Sequence, residues 1–320
     1  MAAFAHLPVL IDKAPGIFIE NPGGAYVDAT FGRGGHSRAF LSLLNPDGRL
    51  IAFDRDEAAV DAAKGIADPR FCIYHAPFSA MAGILTGAGS APVDGIFMDI
   101  GVSSPQIDDP QRGFSFSKDG PLDMRMDQSR GQTAADFVNR APEREIARVI
   151  REFGEEKYAF RIARTIAARR VSEPFLRTLD LARTVSEVVP VNRADPSQNR
   201  AARTFQAIRI HINGELDELM SALRESLSLL KPGGQIAVIT FHSLEDRMVK
   251  RFFAEASHPE RDFDPRIPLT AGELPKPLLE DVRRVFPDDA EKASNPRSRS
   301  ATLRVARRTA EAARGAEGRP

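Results

Sequence analysis

The stretch Val27-Asp28-Ala29-Thr30-Phe31-Gly32-Arg33-Gly34-Gly35-His36-Ser37 decides the fold of this chain. It begins as a buried strand, passes through a glycine-rich turn, and continues at Ala39, Phe40, Leu43 and Leu44 with the apolar spacing of a helix. An α/β protein builds a nucleotide-sized pocket from this arrangement, at the carboxyl end of a parallel strand. The glycines let the backbone approach a ligand, and the start of the helix presents unpaired N–H groups to it. A purely structural turn is the alternative, because such glycines recur across α/β folds.

Two cofactors suit this turn, a dinucleotide or S-adenosylmethionine. The dinucleotide fingerprint has glycine at its first, third and sixth positions; Gly32 and Gly34 fit it, whereas the sixth position is Ser37. Asp28 precedes the glycines, and its carboxylate would repel a pyrophosphate but would hold the ammonium of a methionine moiety, directly or through water. The pattern therefore favours S-adenosylmethionine, and a nicotinamide oxidoreductase is the second interpretation.

The composition bounds the class of protein. The chain has 320 residues, enough for one large or two ordinary domains, and a formal net charge of zero, so local charge matters more than the total. Cys72 is its one cysteine, which excludes a disulfide framework and the cysteine-rich zinc site of a base deaminase. We see neither a bilayer-spanning apolar run nor a secretory signal. We therefore expect a cytoplasmic protein without a membrane segment or a required metal.

Two further strands bring residues to the same predicted pocket. A second buried strand ends at Asp54, which follows Gly32 by 22 residues, close to the spacing at which an acid meets the ribose hydroxyls of a nucleotide. The alternative is that Asp54 or Asp56 caps the next helix. A third strand, 71–75, leads to Phe78, whose ring would cover an adenine, although a phenylalanine taken alone is more often part of the core.

A fourth strand, 93–99, delivers Asp99 to this edge and is followed by the loop Ser103-Ser104-Pro105-Gln106. Enzymes that methylate the exocyclic amines of bases place a loop of Asp or Ser followed by prolines and an aromatic residue at this point, and the present loop is a loose relative without the aromatic. The N4 lone pair of cytosine is delocalised into the ring, so oxygen atoms that accept its hydrogens favour a more pyramidal, nucleophilic nitrogen. An ordinary exit from a strand is the alternative. The candidate catalytic residues are Asp99, Ser103, Ser104 and Pro105.

The βα rhythm stops between residues 110 and 203, where helical patterns predict an inserted all-helical domain. Residues 157–203 carry a net charge of +6 and residues 1–100 a net charge of −4. Three cations, Lys157, Arg161 and Arg164, share one helical face. This asymmetry fits a cofactor domain joined to a phosphate-binding arm, although a solvated helix face explains the charges equally well.

The α/β pattern returns after the insert. A helix is predicted from Thr204 to about Leu230, followed by a strand over 235–241 and a last strand over 301–306. His242 and Ser243 follow the first of these strands and are candidates for contact with the substrate, with a capping role for His242 as the alternative to a general base. The predicted divisions are 1–109 and 204–308 for the two parts of the cofactor domain, 110–203 for the insert, 257–296 for a polar segment, and 309–320 for a disordered tail.

Several motifs together resemble the bacterial RsmH (MraW) ribosomal RNA small-subunit methyltransferases, in that family's order over nearly the whole chain. The matching stretches are His6 with Pro8-Val9-Leu10, 28–37, 54–56, 101–106, 112–116, 119–127, 203–207, 241–247 and 295–297.

The resemblance implies a Rossmann-like class I methyltransferase with a helical insertion. It implies transfer of a methyl group from S-adenosylmethionine to N4 of a cytidine in the decoding centre of 16S rRNA, within the small ribosomal subunit. A non-enzymatic ribosome assembly factor and an amine methyltransferase acting on another nucleic acid are the alternatives, and the sequence allows a homodimer without deciding it. Counting the turn residues, the cofactor-binding candidates are Asp28, Gly32, Gly34, Gly35, His36, Asp54, Phe78, Asp99 and Gln106. The candidates for RNA contact are Lys157, Arg161, Arg164, His242 and Ser243.

Overall fold

The computed structural model describes residues 8–191, 199–262 and 274–311. The chain separates into two compact units. The first joins the chain up to Gly101 to the chain from Asp217 onwards, and the second covers Val102–Leu216. The predicted insert, 110–203, lies inside the second unit, and its role in substrate recognition stays a prediction.

A seven-stranded sheet forms the centre of the first unit. Its strands are β1 (Ala25–Asp28), β2 (Arg49–Asp54), β3 (Phe71–His75), β4 (Val93–Asp99), β5 (Leu230–Thr240), β6 (Leu279–Val285) and β7 (Thr302–Arg308). They lie in the order β3-β2-β1-β4-β5-β7-β6, and β7 is antiparallel to both neighbours whereas the other pairs are parallel. This is the doubly wound order 3-2-1-4-5-6 with an antiparallel strand added between the last two. The predicted α/β, Rossmann-like fold is confirmed.

Helices connect the parallel strands, because parallel neighbours need a crossover rather than a tight turn. The α-helices of the described chain are α1 (Ala14–Phe18), α2 (Gly35–Leu43), α3 (Glu57–Ala63), α4 (Met81–Gly87), α5 (Ser104–Asp108), α6 (Ala134–Arg140), α7 (Glu143–Gly154), α8 (Ala159–Arg169), α9 (Thr178–Val188), α10 (Ala202–Asn213), α11 (Glu215–Leu229), α12 (Ser243–Ser257) and α13 (Asp289–Ser294). Helices α2, α3 and α4 are the crossovers between the first four strands, and α11 leads into β5.

Both faces of the central strands are buried, which explains why they read as continuous apolar runs. Along β1, Val27 packs into one apolar cluster and Tyr26 into another. Along β4, Ile96 and Phe97 divide in the same way. Successive side chains of a strand point to opposite faces, so each run serves two layers of core at once. The sheet is thereby fixed between helices, and its carboxyl edge is held in place.

Strand β6 is absent from the sequence-based prediction, which treats 257–296 as a polar segment. The strand forms the edge of the sheet and, within the described part of the chain, pairs with β7 alone. Its residues from Glu280 to Arg284 are all exposed. Charges on an edge strand protect it from pairing with another chain, and they also remove the apolar alternation by which a strand is recognised.

The single helix predicted from Thr204 to about Leu230 is wrong. Two helices, α10 and α11, occupy this range, and Gly214 separates them in the left-handed conformation at φ 58°. Glycine ends a helix in this way at little steric cost. The following strand also begins earlier than predicted, at Leu230 rather than Gln235.

The second unit has a core of its own. The helical patterns predicted within 110–203 are present as α6, α7, α8 and α9. Their apolar faces meet in one cluster that contains Phe137, Ile150, Ile162, Val185 and Phe205. In the described part of this unit, extended pairing is limited to one bridge between Pro121 and Arg177.

Some predictions fall on residues outside the described ranges. These are His6 of the matching motifs, residues 263–273 of the predicted polar segment, and residues 312–320 of the predicted tail. The start of that tail is ordered, because Thr309 donates a hydrogen bond from its backbone to Leu278 O at 3.0 Å. Among the described residues, no helix is long and apolar enough to cross a membrane, and no group of three or more His, Cys, Asp or Glu side chains is placed to hold a metal ion.

Candidate active site

Three carboxylates end three adjacent strands at the carboxyl edge of the sheet. Asp28 ends β1, Asp54 ends β2 and Asp99 ends β4. Because β1 lies between β2 and β4, the three acids and the glycine turn after β1 come together. An open α/β sheet binds ligands at this edge, so the fold gathers these three predicted cofactor residues in one place.

The glycine turn between β1 and α2 has a backbone that other residues would strain. Gly32 and Gly34 adopt φ 57° and φ 72°, in the left-handed region, and Gly34 is the residue that precedes α2. Gly35 has a different constraint, since a Cβ there would lie 2.2 Å from Cγ of Pro8. The turn therefore needs glycine at all three positions, for its own shape and for close packing.

Asp28 has a structural role in the turn, and its predicted hold on the cofactor ammonium, directly or through water, stays a prediction. Its side chain is fully buried. Oδ2 accepts a hydrogen bond from Ser37 Oγ at 2.6 Å, and Oδ1 accepts one from Thr30 N at 3.2 Å. Burial raises the pKa of this carboxyl above its ordinary value, and the Ser37 hydroxyl opposes that shift. Asp28 thus holds both ends of the glycine turn.

Asp54 also holds the turn, and it keeps acceptor capacity. One oxygen accepts a hydrogen bond from Gly32 N at 2.8 Å and the other accepts one from Asp56 N at 2.9 Å. The alternative capping role belongs to Asp56, which accepts a hydrogen bond from Ala58 N at 3.1 Å at the start of α3. Burial raises the pKa of Asp54 to about 6. A carboxylate oxygen accepts more than one hydrogen bond, so Asp54 remains suited to ribose hydroxyls.

Asp99 and His36 form the polar end of the site. His36 Nε2 lies 3.5 Å from Asp99 Oδ2, and the imidazole is only 5 % exposed. The ring centroid lies 4.7 Å from that of Phe97 and 5.9 Å from that of Phe40. Within the described part of the chain, both ring nitrogens of His36 lack a hydrogen-bond partner, and so does Oδ1 of Asp99.

These unpartnered atoms allow a test of whether the residues of the site fit a cofactor. Buried polar atoms normally have partners, and an exception calls for a ligand or another explanation. An amino acid moiety and a ribose bring both donors and acceptors, so the residues present fit S-adenosylmethionine. His36, Asp54 and Asp99 would hold its polar groups, and the backbone of the glycine turn would lie against it.

Phe78 lies beyond β3, where it begins the short 3-10 turn Phe78–Ala80. Its ring is partly buried and packs against the apolar cluster on one face of the sheet. A ring that is anchored on one side and open on the other is suited to stacking on a base. Its contact with adenine stays a prediction.

Comparison with known proteins shows the family to which this chain belongs. The sequence model described as the MraW methylase family matches residues 3–309. The chain belongs to the MraW methylase family. Proteins named ribosomal RNA small subunit methyltransferase H, from Burkholderia mallei and Burkholderia pseudomallei, are each 51% identical over 310 residues, 96% of this chain and 98% of the relative. Among solved structures, TrmN from Thermus thermophilus aligns with a TM-score of 0.41 and 12% identity, over 93% of this chain and 48% of that one.

Membership of the MraW methylase family confirms the predicted family and enzyme class, a methyltransferase that depends on S-adenosylmethionine. The individual site residues stay predictions, so their surroundings in this chain matter.

In this MraW family member, the remaining catalytic candidates lie in a loop at the start of the second unit. Ser103 precedes α5, with Ser104 and Pro105 in its first turn. Gln106 is buried, and its side-chain oxygen accepts a hydrogen bond from Ser103 N at 2.9 Å. Gln106 therefore uses its carbonyl to close a capping box, which fixes the shape of the loop. The roles of these four residues in catalysis and cofactor binding stay predictions.

His242 takes the capping role that the sequence leaves open. It precedes α12, and its Nδ1 accepts from Glu245 N at 3.5 Å while its Nε2 lies 2.9 Å from Glu245 Oε1. Glu245 is fully buried and also accepts from Phe241 N at 2.9 Å. Ser243 is exposed beside this cap. The cap uses Nδ1, whereas Nε2 has no hydrogen-bond partner among the described residues, so the part of His242 in substrate contact or proton transfer stays a prediction.

The basic candidates lie in the second unit, with Lys157 in the turn between α7 and α8 and with Arg161 and Arg164 on α8. Lys157, Arg161 and Arg164 are all exposed, as a phosphate-binding face requires. Lys157 Nζ lies 5.2 Å and Arg161 Cζ lies 5.7 Å from the centroid of the Tyr158 ring. RNA contact by these residues stays a prediction.

Two of the matching motifs serve as scaffold. The buried guanidinium of Arg112 donates to Met126 O at 2.8 Å. The Asn213 side chain donates to Met124 O at 2.8 Å and accepts from Met126 N at 2.8 Å. The motifs at 112–116 and 119–127 are thus joined within the second unit, and α10 completes the connection.

Sequence reasoning missed the hydroxyl groups that join two of the three acids to the turn. Thr30 and Ser37 lie inside the decisive stretch, yet neither is predicted to have a role of its own. Asp99 N donates to Thr30 Oγ1 at 2.6 Å, and Ser37 Oγ donates to Asp28. Small hydroxyl residues beside a turn commonly bond locally, and that was the available signal.

Proposed function

We propose that this methyltransferase acts on N4 of a cytidine in the decoding centre of 16S rRNA, within the small ribosomal subunit. The names of the relatives at 51% identity support rRNA of the small subunit as the substrate. The carboxylate of Asp99 is the observation that supports an amine as the methyl acceptor. It ends β4 beside the glycine turn, and its Oδ1 has no hydrogen bond within the described residues.

The chemistry asks for an acceptor at that point. When bound, S-adenosylmethionine supplies an electrophilic methyl group on sulfur. The N4–carbon bond forms as the sulfur–carbon bond breaks, and one N4 proton is lost. The Asp99 carboxylate, whose side chain is 24 % exposed, accepts a hydrogen bond from the amine, which keeps the nitrogen lone pair available and gives the proton a route away. The target base leaves its stack first, as bases generally must for chemistry on them.

Positioning accounts for much of the proposed rate, since a correctly held pair of reactants replaces a bimolecular encounter. The Thr30 hydroxyl fixes the backbone of Asp99. The His36 ring packs against Phe97 and lies beside the carboxylate of Asp99. The loop at Ser103–Pro105 belongs to the second unit, and its contribution of oxygen acceptors stays a prediction from the sequence.

The direct test uses labelled S-adenosylmethionine and small ribosomal subunits that lack the modification. Nucleoside analysis of the RNA should recover the label as N4-methylcytidine. Asp99→Ala should lose transfer by a large factor, whereas Asp289→Ala, at an exposed carboxylate of the same unit, should not. Full transfer by an Asp99→Ala protein that binds cofactor normally would overturn the role of Asp99. No label, despite cofactor binding by the wild type, would favour a different substrate first and a non-enzymatic assembly factor next.

A further inference from the structure

The corner between α7 and α8 carries two aromatic rings among cations. We define the α7–α8 corner as Arg151, Lys157, Tyr158, Phe160 and Arg161. The Arg151 guanidinium carbon lies 5.9 Å from the centroid of the Phe160 ring, and Lys157 and Arg161 flank Tyr158 as described above. All three cations lie within the distance at which a ring attracts a positive charge.

Phe160 does not belong to the core of its helix. The buried stripe of α8 consists of Ala159, Ile162, Ala163 and Ile166. Phe160 lies off that stripe and is 61 % exposed, while Arg164 follows it by one helical turn and is also exposed. An exposed phenyl ring in contact with water is unfavourable, so a partner that covers it gains binding energy.

We propose that Phe160 is a stacking platform for an unpaired base of the RNA substrate, with Arg151 beside it and Tyr158 as a second ring. This inference rests on the proposed RNA substrate and adds residues that are not among the predicted phosphate contacts. Single-stranded RNA is recognised by stacking of splayed bases on aromatic rings and guanidinium groups, with cations at the backbone. The corner supplies both, because the exposed cations Arg161 and Lys157 lie beside the Tyr158 ring. Duplex RNA suits the corner less, since its bases are already stacked on one another.

The test measures binding of the full-length protein to two RNA oligonucleotides. One is single-stranded and contains 2-aminopurine, and the other is a hairpin of equal length in which that base is paired. Phe160→Ala should weaken binding of the single strand by about fivefold to a hundredfold and remove the fluorescence change of 2-aminopurine. Phe160→Tyr should preserve both, and Phe160→Leu, which keeps an apolar side chain without a ring, should behave like Phe160→Ala.

The matched control is Leu176→Ala, because Leu176 is 65 % exposed in the same unit. Equal affinities of Phe160→Ala and Leu176→Ala for the single strand would overturn the proposal. So would an equal loss on the hairpin, or a change of oligomeric state in light scattering without a change in RNA affinity. Nucleoside analysis of small subunits treated with the wild type tests the proposed reaction separately, so failure of stacking and failure of the methylation proposal give different results.

Discussion

The backbone N–H of Asp99 donates a hydrogen bond of 2.6 Å to the hydroxyl of Thr30. This bond joins the end of β4 to the turn that follows β1, so the proposed catalytic carboxylate and the glycine turn are held by one contact. Asp28 and Ser37 fix the other side of the turn through a second short contact of 2.6 Å. The site therefore depends on two hydroxyl groups as well as on its acids.

Thr30→Val should test that connection. Valine has nearly the shape of threonine but cannot accept a hydrogen bond, so the Asp99 N–H would lose its partner. We expect the free energy of unfolding to fall by about 1–3 kcal/mol, and cofactor affinity to fall with it. Denaturant unfolding and calorimetric titration of S-adenosylmethionine measure the two effects. Thr30→Ser keeps the hydroxyl and should stay close to wild type; a serine variant as weak as the valine variant would contradict the explanation.

Gly34→Ala should distort the cofactor turn. The residue has φ 72°, and a Cβ there would lie 2.5 Å from Cζ of Phe31. We expect the free energy of unfolding to fall by about 1–3 kcal/mol, together with weaker cofactor binding. Gly83→Ala is the control, since α4 leaves open space around its Cβ. An alanine within a helix should raise stability by about 0.5–1 kcal/mol there, and equal thermal shifts in the two variants would refute the argument.

Cofactor affinity should depend on pH through Asp54. Its pKa is raised by burial to about 6, so the folded protein holds this proton more tightly than the unfolded chain does. The contribution of Asp54 to stability is therefore complete below its ordinary pKa of 3.8 and is lost as pH rises through about 6. Ribose hydroxyls bind the ionised form, so the affinity for S-adenosylmethionine should fall by about tenfold per pH unit below this pKa.

Calorimetric titration across this pH range measures the effect, and Asp54→Asn provides the comparison. The amide cannot ionise, so its weaker cofactor affinity should lose this pH dependence. A wild-type affinity that stays constant from about pH 7 down to about pH 5 would show that Asp54 does not meet the cofactor as a carboxylate.

The acids of the site were predictable because a strand followed by an acid has a local pattern. Asp54 and Asp99 each end a buried run, and parallel strands deliver their ends to one edge. The structural role of Asp28 was not predictable, because it depends on the Ser37 hydroxyl, which lies in the first turn of α2. The capping of α12 by His242 was only one of two open alternatives, because it depends on the position of Glu245 three residues further along the chain.

The sequence-based prediction missed strand β6 and the break at Gly214 for different physical reasons. An edge strand is stabilised by backbone pairing to one neighbour, so its side chains need no apolar alternation. A glycine within a helical pattern either lowers the stability of a continuous helix modestly or marks its end, and tertiary contacts decide between the two. Here the chain changes units within two residues of Gly214, at Leu216 and Asp217, which the local pattern does not report.

Arg161→Ala and Arg164→Ala should separate charge from stacking in RNA binding. Both guanidinium groups are exposed on α8, and removal of a phosphate contact should weaken binding of all RNA sequences alike. The slope of the logarithm of affinity against the logarithm of salt concentration should fall by about one for each contact removed. Phe160→Ala should instead lower affinity and leave that slope unchanged, since a stacked ring releases no counterions. Arg140→Ala, at an exposed arginine of α6 that pairs with Asp136 at 3.4 Å, is the matched control. An unchanged slope in the double variant of Arg161 and Arg164 would remove α8 from the RNA-binding surface.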